Sequence, residues 1–170
     1  MAFISISITK NHPLILGKGG FGRQLADWLS AEGWGEAEFL DDSAPGCVGG
    51  LRDYADPKLL KPGRPAFVAL GDNALRVELL QKLAAAGYDT PVFISDMAAV
   101  SPSAVLEPGC VILPQAYVGA DAHLGVGCII NGGAGPRRGP GPRRACCPRR
   151  HRKGRCRGGS PNQGGFWGNH

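Results

Sequence analysis

Three glycines with the spacing G-x-G-x-x-G are the first residues of this sequence whose pattern indicates chemistry. Gly17, Gly19 and Gly22 follow the apolar run at 14–16 and precede a segment whose apolar residues recur at helical spacing. A turn between a strand and a helix lets the backbone approach a phosphate at the positive end of the helix. The pattern therefore predicts a nucleotide-phosphate site, in which Lys18 either contacts the phosphate or projects into water.

Small and acidic residues follow the next two apolar runs. Asp41 and Asp42 come about 20 residues after the glycine turn, where a carboxylate can accept hydrogen bonds from a ribose or sugar hydroxyl. A solvated turn is the alternative, and both interpretations stay open. Gly71 ends the following run at the same predicted edge of the sheet. Asn73 is predicted to cap the next helix, and Arg76 to lie on its surface rather than to reach a phosphate.

Alternating strands and helices must position these residues. Short apolar runs without alternation are typical of strands buried on both faces. We predict such strands at 14–16, 38–40, 66–70 and 92–94, an alternating strand at 2–9, and helices after the first and third buried strands. Strands that alternate with helices imply a parallel sheet with right-handed crossovers. The first part of the chain is thus predicted to be a small Rossmann-like α/β domain.

A period of six residues replaces these patterns from Val100 onward. One column is aliphatic and the residue four places later is small: Val100, Leu106, Ile112, Val118, Leu124 and Ile130, then Ala104, Cys110, Ala116, Ala122, Cys128 and Ala134. Such a repeat predicts a coil of short parallel strands with an aliphatic core and tight corners. Cys110 and Cys128 are then small core residues rather than metal ligands. His123 is predicted to be a surface or stacked histidine, with a catalytic base as the alternative.

The charge of the chain divides at Ala134. Residues 1–134 carry nine basic and fourteen acidic residues, a formal charge of −5, whereas 135–170 carry ten basic residues and no acidic one. The tail has too few apolar residues to form a core and is expected to be disordered. The sequence lacks an apolar run of the roughly 20 residues that span a bilayer, a secretory leader and paired cysteine spacing. We therefore expect a cytoplasmic protein without a metal site.

The order of these features resembles the bacterial sugar acyltransferases typified by sialic-acid O-acetyltransferase and by the pilin and bacillosamine N-acetyltransferases. The matching stretches are LILGKGGFG at 14–22, FLDD at 39–42, ALGDNALR at 69–76, VSPSA at 100–104 and CIINGGA at 128–134. The resemblance implies a left-handed parallel β-helix that forms a homotrimer with acetyl-CoA between subunits. It also implies that the first domain holds a nucleotide-activated sugar through Gly19, Gly20, Phe21, Asp41, Asp42 and Gly71. Lys18 departs from the small residue usual at its position.

The resemblance ends after Ala134, where the family has an Asp-His-Asp or similar triplet with the catalytic histidine. This sequence has no such triplet, prolines occupy the aliphatic column at 136, 142 and 148, and no catalytic residue is assigned. A reading frame shifted by one base would restore the pattern. Codons of the form GGN-CCN-CGN at 135–137 then permit Asp-His-Asp, and later codons permit Leu-Gly and Val-Ala-Pro-Gly-Val in register. We therefore hypothesise that the frame was lost near Gly133.

The sequence thus predicts a Rossmann-like nucleotide-sugar-binding domain at 1–96, a partial left-handed β-helix at 97–134 and an Arg/Pro/Gly-rich tail at 135–170. The predicted function is acetyl-CoA-dependent acetylation of a nucleotide-activated sugar or a sialic acid in surface-glycan biosynthesis, inactive in this frame because the histidine is missing. The alternative is a non-catalytic nucleotide-sugar-binding module whose tail binds a polyanion. Nucleic acid is not the expected partner. A nicotinamide dehydrogenase would leave the hexapeptide repeats unexplained.

Overall fold

The structure is a computed structural model that describes residues 12–58, 63–132 and 144–145. The strand predicted at 2–9 lies outside these residues, as does most of the basic tail. Among the helices of the described ranges, none is long and apolar enough to cross a membrane.

A three-stranded parallel sheet forms the first part of the molecule. Its strands are β1 (Leu14–Leu16), β2 (Glu38–Leu40) and β3 (Ala66–Val68), in the spatial order β2-β1-β3. All three residues of the central strand β1 have no solvent exposure. This burial explains why the run is apolar without alternation, since both faces of the strand are covered. The predictions of these three strands and of their parallel arrangement are confirmed, except that the third strand ends at Val68 and not at Leu70.

Two helices connect and cover the sheet. Helix α1 (Gly20–Ala31) follows β1 and buries Leu25 and Leu29 against it. Helix α2 (Asn73–Ala85) follows β3 and buries Leu79, Leu80 and Leu83. Gly33 and Gly87, just beyond the two helix ends, have φ values of +81° and +95°, the left-handed conformation that commonly ends helices.

The cap of α2 differs from the prediction by one residue. Asp72, not Asn73, is the N-cap, and its carboxylate accepts the N–H groups of Ala74 and Leu75 at 2.8 and 2.9 Å. The extended backbone of Asp72 aims its side chain at these otherwise unpaired donors. Asn73 is already inside the first turn, where its amide oxygen accepts a hydrogen bond from Arg76 instead.

The second part of the chain is a coil of parallel two-residue strands. They are β4 (Phe93–Ile94), β5 (Ala99–Val100), β6 (Val105–Leu106), β7 (Val111–Ile112), β8 (Tyr117–Val118), β9 (His123–Leu124) and β10 (Ile129–Ile130). Strands β4, β7 and β10 form one sheet, β5 and β8 a second, and β6 and β9 belong to a third. Strands β4, β5, β6 and β7 each pair with the strand 18 residues later, as Phe93 does with Val111. Three hexapeptides therefore make one turn of a β-helix.

The two columns of the hexapeptide period supply the core of this coil. Ile112, Val118 and Leu124 are fully buried, and Val100 and Leu106 of the first turn are partly buried. The small residues Cys110, Ala116 and Cys128 pack in the same cluster. The prediction that aliphatic residues fill the coil and small residues accompany them is therefore confirmed.

The segment 92–94 does not add a fourth strand to the first sheet, so that prediction is wrong. Phe93 and Ile94 pair with Val111 and Ile112, and β4 is the first strand of the coil. The coil thus includes Phe93, a few residues before the domain limit drawn between Asp96 and Met97 on the sequence. A short apolar run has the same composition in either kind of parallel sheet, and only its pairing partner distinguishes the two.

The sheet and the coil share one hydrophobic core. A single cluster contains Ile15 and Phe67 of the sheet together with Phe93 and Val111 of the coil. A second cluster of the sheet half has Val126 of the coil packed against it. The junction is therefore a packed interface rather than a linker.

In the tail, residues 144–145 form a further strand, β11 (Arg144–Ala145), which pairs in parallel with β9. This pair differs from the expectation of a disordered tail. The rest of that expectation falls on residues outside the described ranges.

Candidate functional site

The glycine turn after β1 is held in a shape that only glycine accommodates at two positions. Gly17 has a φ of +100°, which L-amino acids with side chains rarely adopt. A Cβ on Gly22 would lie 1.9 Å from the carbonyl oxygen of Gly17, so the first turn of α1 packs directly on the backbone of the loop. The G-x-G-x-x-G spacing thus allows the helix to pack closely against the loop that follows the strand.

The N-terminus of α1 is open toward solvent. Gly19 is the N-cap and contributes no side-chain hydrogen bond, and the first turn contains no acidic residue. Cβ atoms built on Gly19 and Gly20 would meet nothing within 4 Å. Backbone N–H groups at such a helix end carry partial positive charge and can bind an anion. The free space beside them fits the predicted phosphate position.

Asp41 holds the glycine turn to the loop after β2. One carboxylate oxygen accepts the N–H of Lys18 at 2.7 Å, and the other accepts the backbone N–H groups of Ser43 and Ala44 at 2.9 and 3.0 Å and the Ser43 hydroxyl. These hydrogen bonds, that from Lys18 first, lower the pKa of Asp41 from its usual 3.8 to about 2. Asp41 is therefore ionised near neutral pH and is an organising residue of this edge.

Asp42 has a different environment from that of its neighbour. It is exposed, and its carboxylate accepts the N–H of Leu51 at 2.8 Å. Both aspartates therefore accept hydrogen bonds from the backbone of the loop after β2 and stabilise it. A contact of either residue with a sugar stays a prediction.

Lys18 follows neither of its two predicted alternatives. Its ammonium group donates to the carbonyl oxygens of Pro45 and Gly46 at 2.7 and 2.9 Å and lies 5.3 Å from the centre of the Phe39 ring. The side chain thus closes the loop after β2 against the glycine turn. A phosphate at this edge would be bound by backbone N–H groups without the help of this ammonium group.

The remaining predicted residues lie around the same edge. Gly71, at the end of the stretch that follows β3, is exposed with open space where a Cβ would stand. Phe21 is half-buried and packs against the core cluster that contains Ile15. Since β1, β2 and β3 are parallel and in register, their carboxyl ends meet at one edge. The structure therefore brings Gly19, Gly20, Asp41 and Gly71 to one side of the sheet.

Arg76 is buried, which contradicts the prediction that it lies on the helix surface. Only 6% of the residue is exposed. Its guanidinium donates to the carbonyl oxygens of Gly127 and Leu70, both at 2.7 Å, and to the amide oxygen of Asn73 at 2.7 Å. Arg76 therefore connects the end of the first sheet, next to Gly71, to the second turn of the coil.

His123 has an acidic partner that the sequence did not reveal. Its Nε2 lies 2.8 Å from a carboxylate oxygen of Glu107, whose other oxygen accepts the N–H of Val126 at 3.0 Å. The pair forms because Val105 and His123 stand side by side in consecutive turns. The 18-residue repeat was the available signal, since it places 107 near 123–126. His123 is partly exposed, as predicted.

The described residues contain no group of three or more His, Cys, Asp or Glu side chains that could hold a metal ion. This edge provides backbone donors at the start of α1, an ionised carboxylate and three glycines with open space at the Cβ position. This combination suits an anionic ligand with hydroxyl groups.

The fold and the edge define a class: a parallel α/β sheet with a phosphate-type glycine turn, packed on a β-helix of hexapeptide repeats. Residues 14–83 match the model of the PglD N-terminal domain, which includes the glycine turn, Asp41 and Gly71. No curated protein sequence matches the chain at a significant level.

Solved structures similar to this chain include an acetyltransferase domain and a GDP-perosamine N-acetyltransferase. The acetyltransferase domain of PglB from Neisseria gonorrhoeae is 32% identical with a TM-score of 0.68, and the match covers 75% of this chain and 65% of that domain. PerB from Caulobacter crescentus, solved with CoA and GDP-perosamine, is 30% identical with a TM-score of 0.66, covering 74% of this chain and 62% of that protein. The PglB domain was also solved with acetyl-CoA.

The chain is therefore similar to acetyltransferases, one of them a sugar N-acetyltransferase, along about three quarters of its length. It spans slightly less than two thirds of the length of these two structures.

Proposed function

We propose that this chain has the architecture of an acetyl-CoA-dependent acetyltransferase of a nucleotide-activated sugar or a sialic acid in surface-glycan biosynthesis. The observation that carries the proposal is the edge formed by the glycine turn, Asp41 and Gly71, which lies within the family match at 14–83. A similar protein, PerB, was solved with CoA and a nucleotide sugar. By this proposal the part of the chain before β4 is a Rossmann-like domain that binds the nucleotide sugar in the cytoplasm.

The coil, which begins at β4, is the acyl-transfer part of the proposal. We assign it the left-handed sense and the homotrimeric assembly that the resemblance implies, with acetyl-CoA between neighbouring subunits. In the reaction that the resemblance implies, a neutral imidazole would remove a proton from the sugar amine or hydroxyl as that group attacks the thioester carbonyl. The acyl carbon–sulfur bond would then break, and CoA would leave as its thiol. In the described part of the chain the one imidazole of the coil, that of His123, is tied to Glu107, and the family triplet is absent from the sequence. We therefore expect the chain to bind its sugar substrate without transferring acetyl groups.

Binding and catalysis are tested separately. Isothermal calorimetry with a GDP-sugar, a UDP-sugar, a CMP-sugar and NAD measures the first, and release of CoA from acetyl-CoA measures the second. We expect saturable binding of one nucleotide sugar, none of NAD, and no CoA release above the spontaneous rate. Binding of NAD alone would overturn the assignment to a sugar, and acetyl transfer by this chain would overturn the expected inactivity.

The basic tail is part of the same proposal. We infer that residues 135–170 are translated from a reading frame that shifted near Gly133. The codons of the other frame permit the Asp-His-Asp triplet and both later family segments in register. Resequencing the source DNA and expressing the frame-restored gene test this inference. The restored protein is expected to transfer acetyl groups. An intact Arg-rich tail in a second isolate would contradict the shift and favour the binding module with a polyanion partner.

A further inference from the structure

Two buried cysteines lie side by side in consecutive turns of the coil. Cys110 and Cys128 are 0% and 1% exposed and directly precede the paired strands β7 and β10. The N–H of Val111 donates to the carbonyl of Cys128 at 2.8 Å, so the two residues are neighbours across this ladder. Adjacent strands lie about 4.7–4.9 Å apart, within the Cα separation of about 4.4–6.8 Å found in disulfides.

The two thiols are in contact and stand beside a buried cation. They hydrogen-bond to each other, and the Cys110 thiol also donates to the carbonyl of Gly125 at 3.2 Å. The Arg76 guanidinium donates to Gly127, the residue before Cys128, and its charge interacts with both sulfur atoms. The hydrogen bond from Cys128 lowers the pKa of Cys110. The hydrogen bond with Cys128 favours the Cys110 thiolate, the nucleophilic form of cysteine, whereas burial and the nearby Glu107 carboxylate oppose it.

We propose that Cys110 and Cys128 are an oxidative modification site, at which a hydroperoxide converts the two thiols of the folded protein into a reversible disulfide. Their burial excludes bulky oxidants, whereas hydrogen peroxide is close to water in size. The disulfide would join consecutive turns of the coil next to α2, where Arg76 donates its hydrogen bond to Gly127. Neither cysteine belongs to the edge proposed to bind a nucleotide sugar.

The chemistry balances in two steps. The Cys110 thiolate attacks one oxygen of hydrogen peroxide, the O–O bond breaks, and the departing hydroxide takes up the thiol proton as water, leaving a sulfenic acid. The Cys128 sulfur then attacks the sulfenic sulfur, the S–S bond forms as the S–O bond breaks, and a second water leaves. The peroxide accepts two electrons, and a dithiol reductant reverses the reaction.

The sequence itself offers a clean assay. There is no Lys or Arg between Lys82 and Arg137, so trypsin releases Cys110 and Cys128 on one peptide that contains no other cysteine. After peroxide treatment of the folded full-length protein and alkylation, this peptide should be about 2 Da lighter than the fully reduced peptide and should carry no alkyl group. A further digestion before Asp121 separates the two cysteines, which then remain joined only through the disulfide.

Substitutions separate the role of each sulfur from an effect on folding. Alanine occupies the same column at 104, 116 and 122, so Cys110→Ala and Cys128→Ala fit the coil. In Cys128→Ala we expect Cys110 to stop at the sulfenic acid, which dimedone traps, and Cys110→Ala should give no dimedone adduct at Cys128. The partly exposed Cys47 serves as the internal comparison. In urea, the selective linkage should give way to mixed pairs with the other cysteines.

Two results would overturn the proposal. One is that both thiols stay fully alkylatable on unfolding after a peroxide dose that oxidises Cys47. The other is that Cys110 or Cys128 is oxidised without becoming joined to its neighbour in the folded protein.

Discussion

At the scale of single residues, the hydrogen bonds of Asp41 determine the shape of the candidate site. Its carboxylate joins the glycine turn to the loop after β2, and Lys18 strengthens the same connection through two carbonyl groups of that loop. The site is thus organised by hydrogen bonds between loops before any ligand arrives. Such pre-organisation lowers the conformational cost of binding.

Asp41→Asn is expected to destabilise the protein by about 1–2 kcal/mol at pH 7, allowing for solvent screening of a partly exposed group. The amide nitrogen would face a backbone donor, so at least one hydrogen bond is lost. Because the folded-state pKa of Asp41 is lowered to about 2 from 3.8, its stabilising effect is full above pH 4 and is lost as the pH falls toward 2. Urea unfolding at pH 7 and pH 2.5 measures both values.

Asp42→Asn is the matched control for this prediction, because its carboxylate is exposed and accepts the single N–H of Leu51. We expect a smaller loss of stability for this variant than for Asp41→Asn at pH 7. Equal losses for the two variants would show that Asp41 has no special organising role.

At the scale of elements, the glycine turn and α1 act as one unit. Gly22 allows the helix to touch the loop, whereas Gly20 faces open space. Alanine at Gly22 therefore tests the packing of the helix on the loop, whereas alanine at Gly20 tests the space available to a ligand. Gly109 and Gly127 of the coil allow a similar close approach, since a Cβ at these positions would lie 2.7 and 2.6 Å from the side chain of Leu80 in α2.

Gly22→Ala should cost about 3 kcal/mol of stability because the added methyl group overlaps a backbone carbonyl. Gly20→Ala should leave the stability unchanged or raise it by about 0.5–1 kcal/mol, because alanine is favoured over glycine within a helix. The added methyl group at 20 occupies the space beside the helix N-terminus, so nucleotide-sugar binding should fall at least tenfold. Thermal unfolding and calorimetry of both variants provide the comparison; a Gly20→Ala protein that binds normally would place the ligand elsewhere.

At the scale of the whole molecule, the sheet and the coil form one cooperative body. They share a hydrophobic cluster, and the buried guanidinium of Arg76 bonds to carbonyl oxygens on both sides. A domain limit drawn from composition therefore does not correspond to a flexible joint. Unfolding of one part exposes apolar surface of the other.

Arg76→Met should destabilise the protein by about 2–4 kcal/mol, because it leaves two carbonyl groups and one amide oxygen without this donor at a buried position. Lys82→Ala on the same helix removes an exposed i,i+4 pair with Glu78 and should leave the stability close to that of the parent chain, because exposed ion pairs contribute little. Urea unfolding followed by Trp fluorescence and by circular dichroism measures the difference. Coincident transitions in the parent chain and separated ones in Arg76→Met would confirm that Arg76 couples the two parts; a loss no larger than that of Lys82→Ala would contradict it.

The sequence determined those features that depend on local pattern. Uninterrupted apolar runs located β1, β2 and β3, the G-x-G-x-x-G spacing located a turn that needs glycine, and the period of six gave the coil and its core columns. In each case the order of residue types along a short stretch reflects a geometric requirement, whether burial on both faces, a close backbone approach or a repeated corner.

Only the tertiary structure decided which distant residues meet. It assigned Phe93 to the coil, buried Arg76 between the two parts, paired His123 with Glu107 and turned Lys18 onto its neighbouring loop. These contacts join residues that stand 16 to 51 positions apart in the chain, except that Arg76 also bonds locally to Asn73 and Leu70. A cationic or histidine side chain can bond to many acceptors, so its residue type does not predict its partner. The packing of the chain determines which acceptor it reaches.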